Sequence, residues 1–239
     1  MEMISVCMTT YNGELFIEEQ LSSILPQLSH NDEILISDDG STDKTIDIIK
    51  SIEDSRIKLF QNSFKNVILN FEFVLGEVSG DVIFLSDQDD IWYPNKVKDS
   101  LKLLLNNDLI FTNLNVFTTE ISKGKLMYDP QRNYQGIYRN FLKNHCVGAT
   151  LVFKSYLLKY VLPIPQKIEM HDMWIFFISS FYGRTNYHKL PLIYYRRHGA
   201  NVSNTGGKTT NSFLKILQIR LRWILVLLSR IVRIIINKK

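Results

Sequence analysis

The 239-residue chain is poor in cysteine, in long apolar runs and, towards its C-terminus, in acid. Its two cysteines, Cys7 and Cys146, stand far apart. That excludes a disulfide framework and the clustered spacing of a structural zinc site, and it fits a reducing compartment. Both read as small apolar strand residues. No basic stretch precedes the first apolar run, Ile4 to Met8, and polar residues follow by Thr9. A secretory signal is therefore excluded, and the expectation is a chain that starts near Met1 and stays in the cytoplasm. The longest uninterrupted apolar run of the tail, Trp223–Leu228, is far short of the roughly 20 residues that span a bilayer. From Lys208 onward there are eight Lys and Arg residues and no Asp or Glu; the whole chain carries +4, so the first 207 residues carry −4. A basic tail on a mildly acidic body asks for an anionic partner, a membrane surface or nucleic acid.

What is present is an alternation of short apolar strands and amphipathic helices. Strands are expected at Ile4–Met8, Glu33–Ser37, Arg56–Gln61, Asp81–Ser86 and Leu109–Leu114. Between them, helical spacing runs over 14–25, from Asp43 through Ile52, over Phe71–Val78 with Gly80 as its stop, and from Pro94 through Leu105. The second half is less regular: helices near Tyr138–Lys143 and Asp172–Phe181, strands near Cys146–Phe153 and Tyr187–Arg196, and a polar linker or mobile loop over Asn201–Asn211. Strand–helix alternation at this pace implies βαβ units and a mostly parallel sheet, whose ligands bind beyond the C-terminal strand ends. Three polar clusters fall at such ends: Thr9-Thr10-Tyr11-Asn12, Asp38-Asp39 and Asp87-Gln88-Asp89-Asp90.

Three carboxylates within four residues repel one another unless something offsets them. A divalent cation with oxygen ligands, magnesium or manganese, does so and leaves coordination positions for phosphate oxygens. The plainer alternative is a solvated turn with Asp89 or Asp90 capping the next helix. Asp38-Asp39 can likewise form a turn with one carboxylate, leaving the other to accept from the ring N–H of uracil or thymine. Tyr11 could stack on the same base.

Taken in order and separation, Thr9-Thr10-Tyr11-Asn12-Gly13, Ser37-Asp38-Asp39-Gly40-Ser41-Thr42-Asp43 and Leu85-Ser86-Asp87-Gln88-Asp89-Asp90-Ile91-Trp92 resemble the inverting glycosyltransferases of family 2, over roughly residues 3–200. The Ser-Asp-Gln-Asp-Asp-Ile-Trp form is similar to the bacterial rhamnosyltransferase-like branch, which builds O-antigen, capsule and other surface polysaccharides. The resemblance implies a GT-A fold: a Rossmann-like, mostly parallel sheet flanked by helices. It implies a nucleotide site at Thr9, Thr10, Tyr11, Asn12, Asp38, Asp39, Asn66, Ser86, Asp87 and Gln88. It implies a divalent metal, Mn or Mg, on Asp87, Asp89 and His198, with Asp89 the more direct ligand. In His171-Asp172-Met173-Trp174 it makes Asp172 the general base that takes the acceptor proton during a single inverting displacement; a plain helix cap is the alternative for that residue. Trp92, His145, Gly148, Ala149, His171, Trp174, Arg197 and His198 would line the donor and acceptor pocket. One departure stands out: Lys65-Asn66-Val67-Ile68-Leu69-Asn70-Phe71 lacks a glycine that relatives carry before this helix, which predicts a base or sugar pocket altered on that side.

The tail pattern is amphipathic. Asn211, Lys215, Gln218, Arg222, Ser229, Arg233 and Asn237 form a polar stripe beside a broad apolar face. The expected organisation is a catalytic domain over 1–203 and a linker with a basic helix over 204–239. Residues 211–239 would lie on the inner face of the bacterial membrane, peripheral to it, or else pack on the body or in an oligomer. The large apolar face and few aromatics argue against nucleic acid. The expected partners are a dTDP- or UDP-linked sugar donor and a polyprenyl-diphosphate-linked glycan acceptor. Two rivals remain at this point. A sugar nucleotidyltransferase would carry a glycine-rich basic loop after the first strand, and Thr9-Thr10-Tyr11-Asn12-Gly13-Glu14 has one glycine and no Lys or Arg. An inactive scaffold subunit would not need Asp39, Asp87, Asp89 and Asp172 together.

Overall fold

A computed structural model describes residues 2–199 and 212–236. The first half runs β1 (Ile4–Thr10), α1 (Ile17–Ile24), β2 (Glu33–Asp38), α2 (Thr45–Ser51), β3 (Ile57–Gln61), α3 (Val67–Gly76), β4 (Val82–Ser86), β5 (Ile91–Trp92) and α4 (Lys96–Leu104). The second half adds β6 (Leu109–Phe117), β7 (Lys125–Leu126), α5 (Ile137–Leu142), β8 (Val152–Lys154), α6 (Leu158–Val161), α7 (His171–Tyr182), β9 (Thr185–Arg196) and α8 (Phe213–Ile236). One curled sheet holds the strands in the order β3-β2-β1-β4-β8-β6-β9-β5, with β7 on β6. β1 pairs in parallel with β2 and β4, β2 with β3, and β6 with β9, while β8 and β5 run antiparallel to their neighbours. Most paired positions are thus parallel, as the sequence pattern predicts.

Central strands of such a sheet are covered on both faces, so their residues are apolar throughout. Alternation then sorts them. Ile4, Val6 and Met8 of β1 enter one core with Ile17, Leu21 and Ile24 of α1, and Cys7 enters the other with Phe71 and Val74 of α3. Both cysteines are free and buried.

Two expected elements are corrected. The third helix begins at Val67, because the Asn66 side chain accepts from the backbone N–H of Ile68 and Leu69 and caps it there. It ends at Gly76; Gly80 instead lies where a Cβ would come within 2.7 Å of the Met3 carbonyl oxygen, a close approach only glycine permits. The strand expected over Cys146–Phe153 is broken by a tight turn at Gly148–Thr150, and β8 is only Val152–Lys154. Local bonds satisfy that turn away from the sheet: Thr150 Oγ1 donates to the Val147 carbonyl at 2.7 Å and Lys96 Nζ to the Ala149 carbonyl at 2.8 Å. The linker expected over Asn201–Asn211 lies outside the described residues.

α8 is fastened to the body along one face. Trp223 and Leu227 are buried in the core that holds α7, and the Trp223 ring meets Phe177 edge-on at 5.8 Å. Trp223 Nε1 donates to Glu169 Oε2 at 3.0 Å, and Arg222 pairs with the same carboxylate. The Arg230 guanidinium donates to the carbonyls of Tyr160, Leu162 and Pro163 and lies 5.0 Å from the Trp174 ring. Away from this contact, Leu217, Leu221, Ile224, Leu225, Leu228 and Val232 stay exposed. Among the described residues no helix is long and apolar enough to cross a membrane.

Candidate active site

The parallel register brings the ends of β1, β2 and β4 to one edge, and side chains lace the three loops together. Gln88 grips Tyr11 at two points: its Oε1 accepts the Tyr11 N–H at 2.8 Å and its Nε2 donates to the Tyr11 carbonyl at 3.0 Å. Gly13 lies beneath that amide, where a Cβ would fall 2.4 Å from Gln88 Oε1. The Asn12 side chain accepts the Thr42 N–H at 2.9 Å, and Ser41 Oγ accepts the Asn12 N–H at 2.8 Å. Tyr11 itself is 57% exposed, so its ring is available for stacking rather than committed to a core.

The two carboxylates after β2 divide their work. Asp38 is fully buried and accepts from Thr10 Oγ1, from the Gly40 and Ser41 N–H groups and from Ser41 Oγ, so it shapes the turn. Asp39 faces the third helix's approach, accepting from the Lys65 and Asn66 N–H groups at 2.8 and 2.9 Å. It thereby fixes the glycine-less 65–70 segment; each carboxylate oxygen keeps lone-pair capacity for a further donor. Thr9 is half-buried at the end of β1, and Ser86 is buried, accepting from Gln20 Nε2 at 2.7 Å.

Asp87, Asp89 and Asp90 each offer a carboxylate oxygen within 4.8 Å of the others. Burial, then the charges of Asp89 and Asp172, push the Asp87 carboxyl up to about 7. Burial, then the charges of Asp89 and Asp87, raise Asp90 far above the ordinary range, and its Oδ2 is buried without a hydrogen-bond partner. Such a set of hard oxygen donors, short of compensating charge, fits a magnesium or manganese ion. Lys96, whose charge reaches Asp87 and Asp90, offsets only part of this charge. Lys96 is buried, holds the Ala149 carbonyl, lies 4.0 Å from the Trp92 ring centroid, and is driven down to about 7 by desolvation.

The late loop reaches this cluster through strand pairing. β5 pairs with β9, Ile91 opposite Tyr194, which carries Arg196 and His198 back to the acidic loop. His198 Nε2 lies 2.7 Å from Asp89 Oδ2, and its ring packs on Phe16 at 4.6 Å. Arg196 donates from Nε to the Asp89 carbonyl at 3.0 Å and from its backbone N–H to Asp90 Oδ1 at 3.0 Å, and pairs with Glu19. Arg197 is exposed, its N–H bonded to the Phe117 carbonyl.

Asp172 occupies the second position of α7, after the cap residue Met170, and its carboxylate accepts the Met173 N–H at 2.6 Å, answering a free donor of the helix's first turn. It is buried, which lifts its pKa to about 7 against hydrogen bonds from the Met173 and Gly148 N–H groups and the Asn144 side chain. Its charge is felt by Asp87, so the start of α7 lies near the acidic loop. His171 stacks on Phe71 at 3.9 Å, and desolvation lowers it to about 3, leaving a neutral imidazole with an unpartnered buried Nε2. Gly148 packs against both, where a Cβ would be 3.1 Å from His171 Nε2.

Two expected pocket residues are corrected. Trp174 is fully buried with Nε1 donating to the Val161 carbonyl at 2.8 Å, and Trp92 is buried against Phe84 and Lys96, so both rings belong to the core. Ala149 is buried too and contributes its carbonyl. His145 stands with Tyr128 and Tyr134, at ring distances of 5.4 and 4.6 Å. Sequence reasoning missed Lys96, Phe16 and Asn144. A lysine at the first position of a helix and a lone Phe carry no signal of burial beside a carboxylate cluster.

The match to the glycosyltransferase family 2 model covers residues 5–162. The chain belongs to that family. It is 34% identical to a dTDP-rhamnosyl transferase, RfbG, of Shigella flexneri over 82% of this chain and 75% of that protein. It is 33% identical to the Escherichia coli UDP-Glc:alpha-D-GlcNAc-diphosphoundecaprenol beta-1,3-glucosyltransferase WfgD over 72% of this chain and 68% of that one. Among solved structures, TarS of S. aureus (residues 1–349, with UDP-GlcNAc) aligns with a TM-score of 0.72 at 16% identity, over 91% of this chain and 65% of that one. The fold is therefore GT-A, and the chain is a glycosyltransferase.

Proposed function

We propose that this glycosyltransferase moves rhamnose or another hexose from a dTDP- or UDP-linked donor to a hydroxyl of a polyprenyl-diphosphate-linked glycan, with inversion, during assembly of a bacterial surface polysaccharide. The observation that carries the reading is the buried Asp172 at the head of α7, within electrostatic reach of Asp87. Tyr11 stacks on the base, Asp39 accepts from its ring N–H, and Thr9, Thr10, Asn12, Asn66, Ser86 and Gln88 build the loops around it. Asp87, Asp89 and His198 would hold a divalent ion, Mn or Mg, which when bound neutralises the charge of the departing nucleoside diphosphate. The acceptor oxygen attacks the anomeric carbon, the bond from that carbon to the diphosphate oxygen breaks, and the hydroxyl proton passes to Asp172. Burial suits Asp172 to this task, because a carboxylate with a pKa near 7 is a stronger base than one near 4. His171, neutral at working pH, is free to orient a sugar hydroxyl.

The exposed apolar face of α8, with Lys215, Arg222 and Arg233 along one side, supports a peripheral position on the inner membrane surface, where a lipid-linked acceptor is found. The test of the donor reading is a calorimetric panel of nucleotide sugars, dTDP-rhamnose and UDP-glucose included, with Mn2+ and with a chelator. Binding of at least one, lost on chelation, is expected. Equal binding without metal would remove the ion from the site, and no binding by any nucleotide sugar would overturn the function.

A further inference from the structure

The apolar face of α8 does not stand alone. α5 lies against α8: Arg220 Nη2 donates to the Leu142 carbonyl at 3.0 Å, and the guanidinium lies 5.3 Å from the Phe141 ring. At about 100° per residue, Arg220 projects between the docked positions Trp223 and Leu227 and the exposed positions Leu217 and Ile224. The polar stripe of Lys215, Arg222 and Arg233 runs on the opposite flank. α5 therefore borders the apolar side of α8.

α5 also turns its own large apolar groups outward. Tyr138 is 75% exposed and Leu142 59%, one helical turn apart on the same face, while Phe141 packs on Phe177 beneath. Arg139 and Lys143 are exposed beside them, and neither α5 nor α8 contains an acidic residue. The segment leads straight to the site. Asn144, the residue after Lys143, bonds Asp172, and the charges of Lys143 and Arg139 reach His145.

We infer that α5 and α8 together form one docking face for an anionic lipid bilayer, with Tyr138 and Leu142 inserting at its catalytic edge. This rests on the peripheral-membrane reading above and adds a second element to it. Charge complementarity selects the occupant: a face with only basic charges around exposed aromatic and aliphatic groups matches the headgroup boundary of an anionic membrane. Because Asn144, just beyond α5, bonds Asp172, a hydroxyl on a lipid-borne glycan reaches Asp172 without leaving the surface.

The test uses the full chain and vesicles of equimolar phosphatidylglycerol and phosphatidylcholine, read by flotation. The double variant Tyr138→Ser/Leu142→Ser is expected to bind about 10- to 30-fold more weakly than the unaltered protein, the size expected for withdrawing two partly inserted apolar side chains. Both positions are exposed, so melting temperature and nucleotide affinity should not move. Lys143→Glu is a second variant, expected to weaken binding to anionic vesicles by several-fold. If the unaltered chain floats with vesicles and the double variant floats equally well, α5 is not part of the face and the inference fails. If the unaltered chain does not bind vesicles, the peripheral-membrane reading falls with it. If light scattering instead gives a dimer that the double variant dissociates, with vesicle binding unchanged, the face is a contact between copies and the inference is overturned.

Discussion

Gly13→Ala isolates the coupling between the base-binding tyrosine and the acidic loop. The new methyl carbon would lie 2.4 Å from Gln88 Oε1 and 2.6 Å from its Cδ, well inside van der Waals contact. Gln88 is flexible and half-buried, so it swings away and the fold survives. What is lost is its two-point hold on Tyr11, at 2.8 and 3.0 Å. Each such bond has a net worth of about 0.5–1.5 kcal/mol. Because Tyr11 is largely exposed, water replaces part of that, and the combined loss is about 1–2 kcal/mol. Expressed as affinity, that is roughly a 5- to 30-fold weaker Kd for dTDP or UDP in the presence of Mn2+. Titration calorimetry reads it directly, with a thermal melt confirming that the variant is folded. Gly76→Ala is the control: no atom lies within 4 Å of its added Cβ, so this substitution at the end of α3 should stabilise by up to about 1 kcal/mol and leave nucleotide affinity alone. A folded Gly13→Ala protein that binds nucleotide as tightly as the unaltered chain would refute the claim that Gln88 positions Tyr11.

Asp172→Asn should retain donor binding and lose transfer by about 100- to 10,000-fold, measured as kcat on a lipid-linked acceptor. In the unaltered enzyme the base must be unprotonated and its pKa is raised to about 7, so kcat should fall about tenfold per pH unit below that value, a limb absent from the Asn variant. Trp223→Ala empties a buried site in the core shared with α7, and should cost about 3–5 kcal/mol, a fall in Tm of about 10 °C by scanning calorimetry. A shift of only one or two degrees would mean that α8 is not docked as described.

The first half of the fold was legible because its signals are local. Apolar strands flanked by helical spacing fix β1 to β4, and polar residues just past each strand mark the ligand edge. Asp87 and Asp89 carry their meaning in a four-residue stretch. Asp172 was legible only through resemblance, since an acid near a helix start reads equally well as a cap, and its carboxylate does accept the Met173 N–H in the first turn of α7. The misreadings share a cause. Trp92 and Trp174 sit inside motifs, and adjacency to a site residue says nothing about which way a ring points. Lys96 and the turn at Gly148–Thr150 escaped notice because their partners, a carbonyl and an amine 53 positions apart, meet only in the folded chain. α8 shows both expected behaviours at once, one face held by Glu169 and Phe177 and another left bare, a division that periodicity alone cannot assign.

The two-residue ladder of β5 on β9 has a consequence for how this architecture can be divided. The family match stops at residue 162, yet a polypeptide cut there would keep the acidic loop while discarding the imidazole beside Asp89, the amide that answers Asp90 and the carboxylate at the head of α7. Such a fragment would be left with concentrated negative charge and only the buried Lys96 to offset it. Recombining donor and acceptor halves from different relatives should therefore succeed only when the seam leaves this short ladder and the loop beyond it from the same parent.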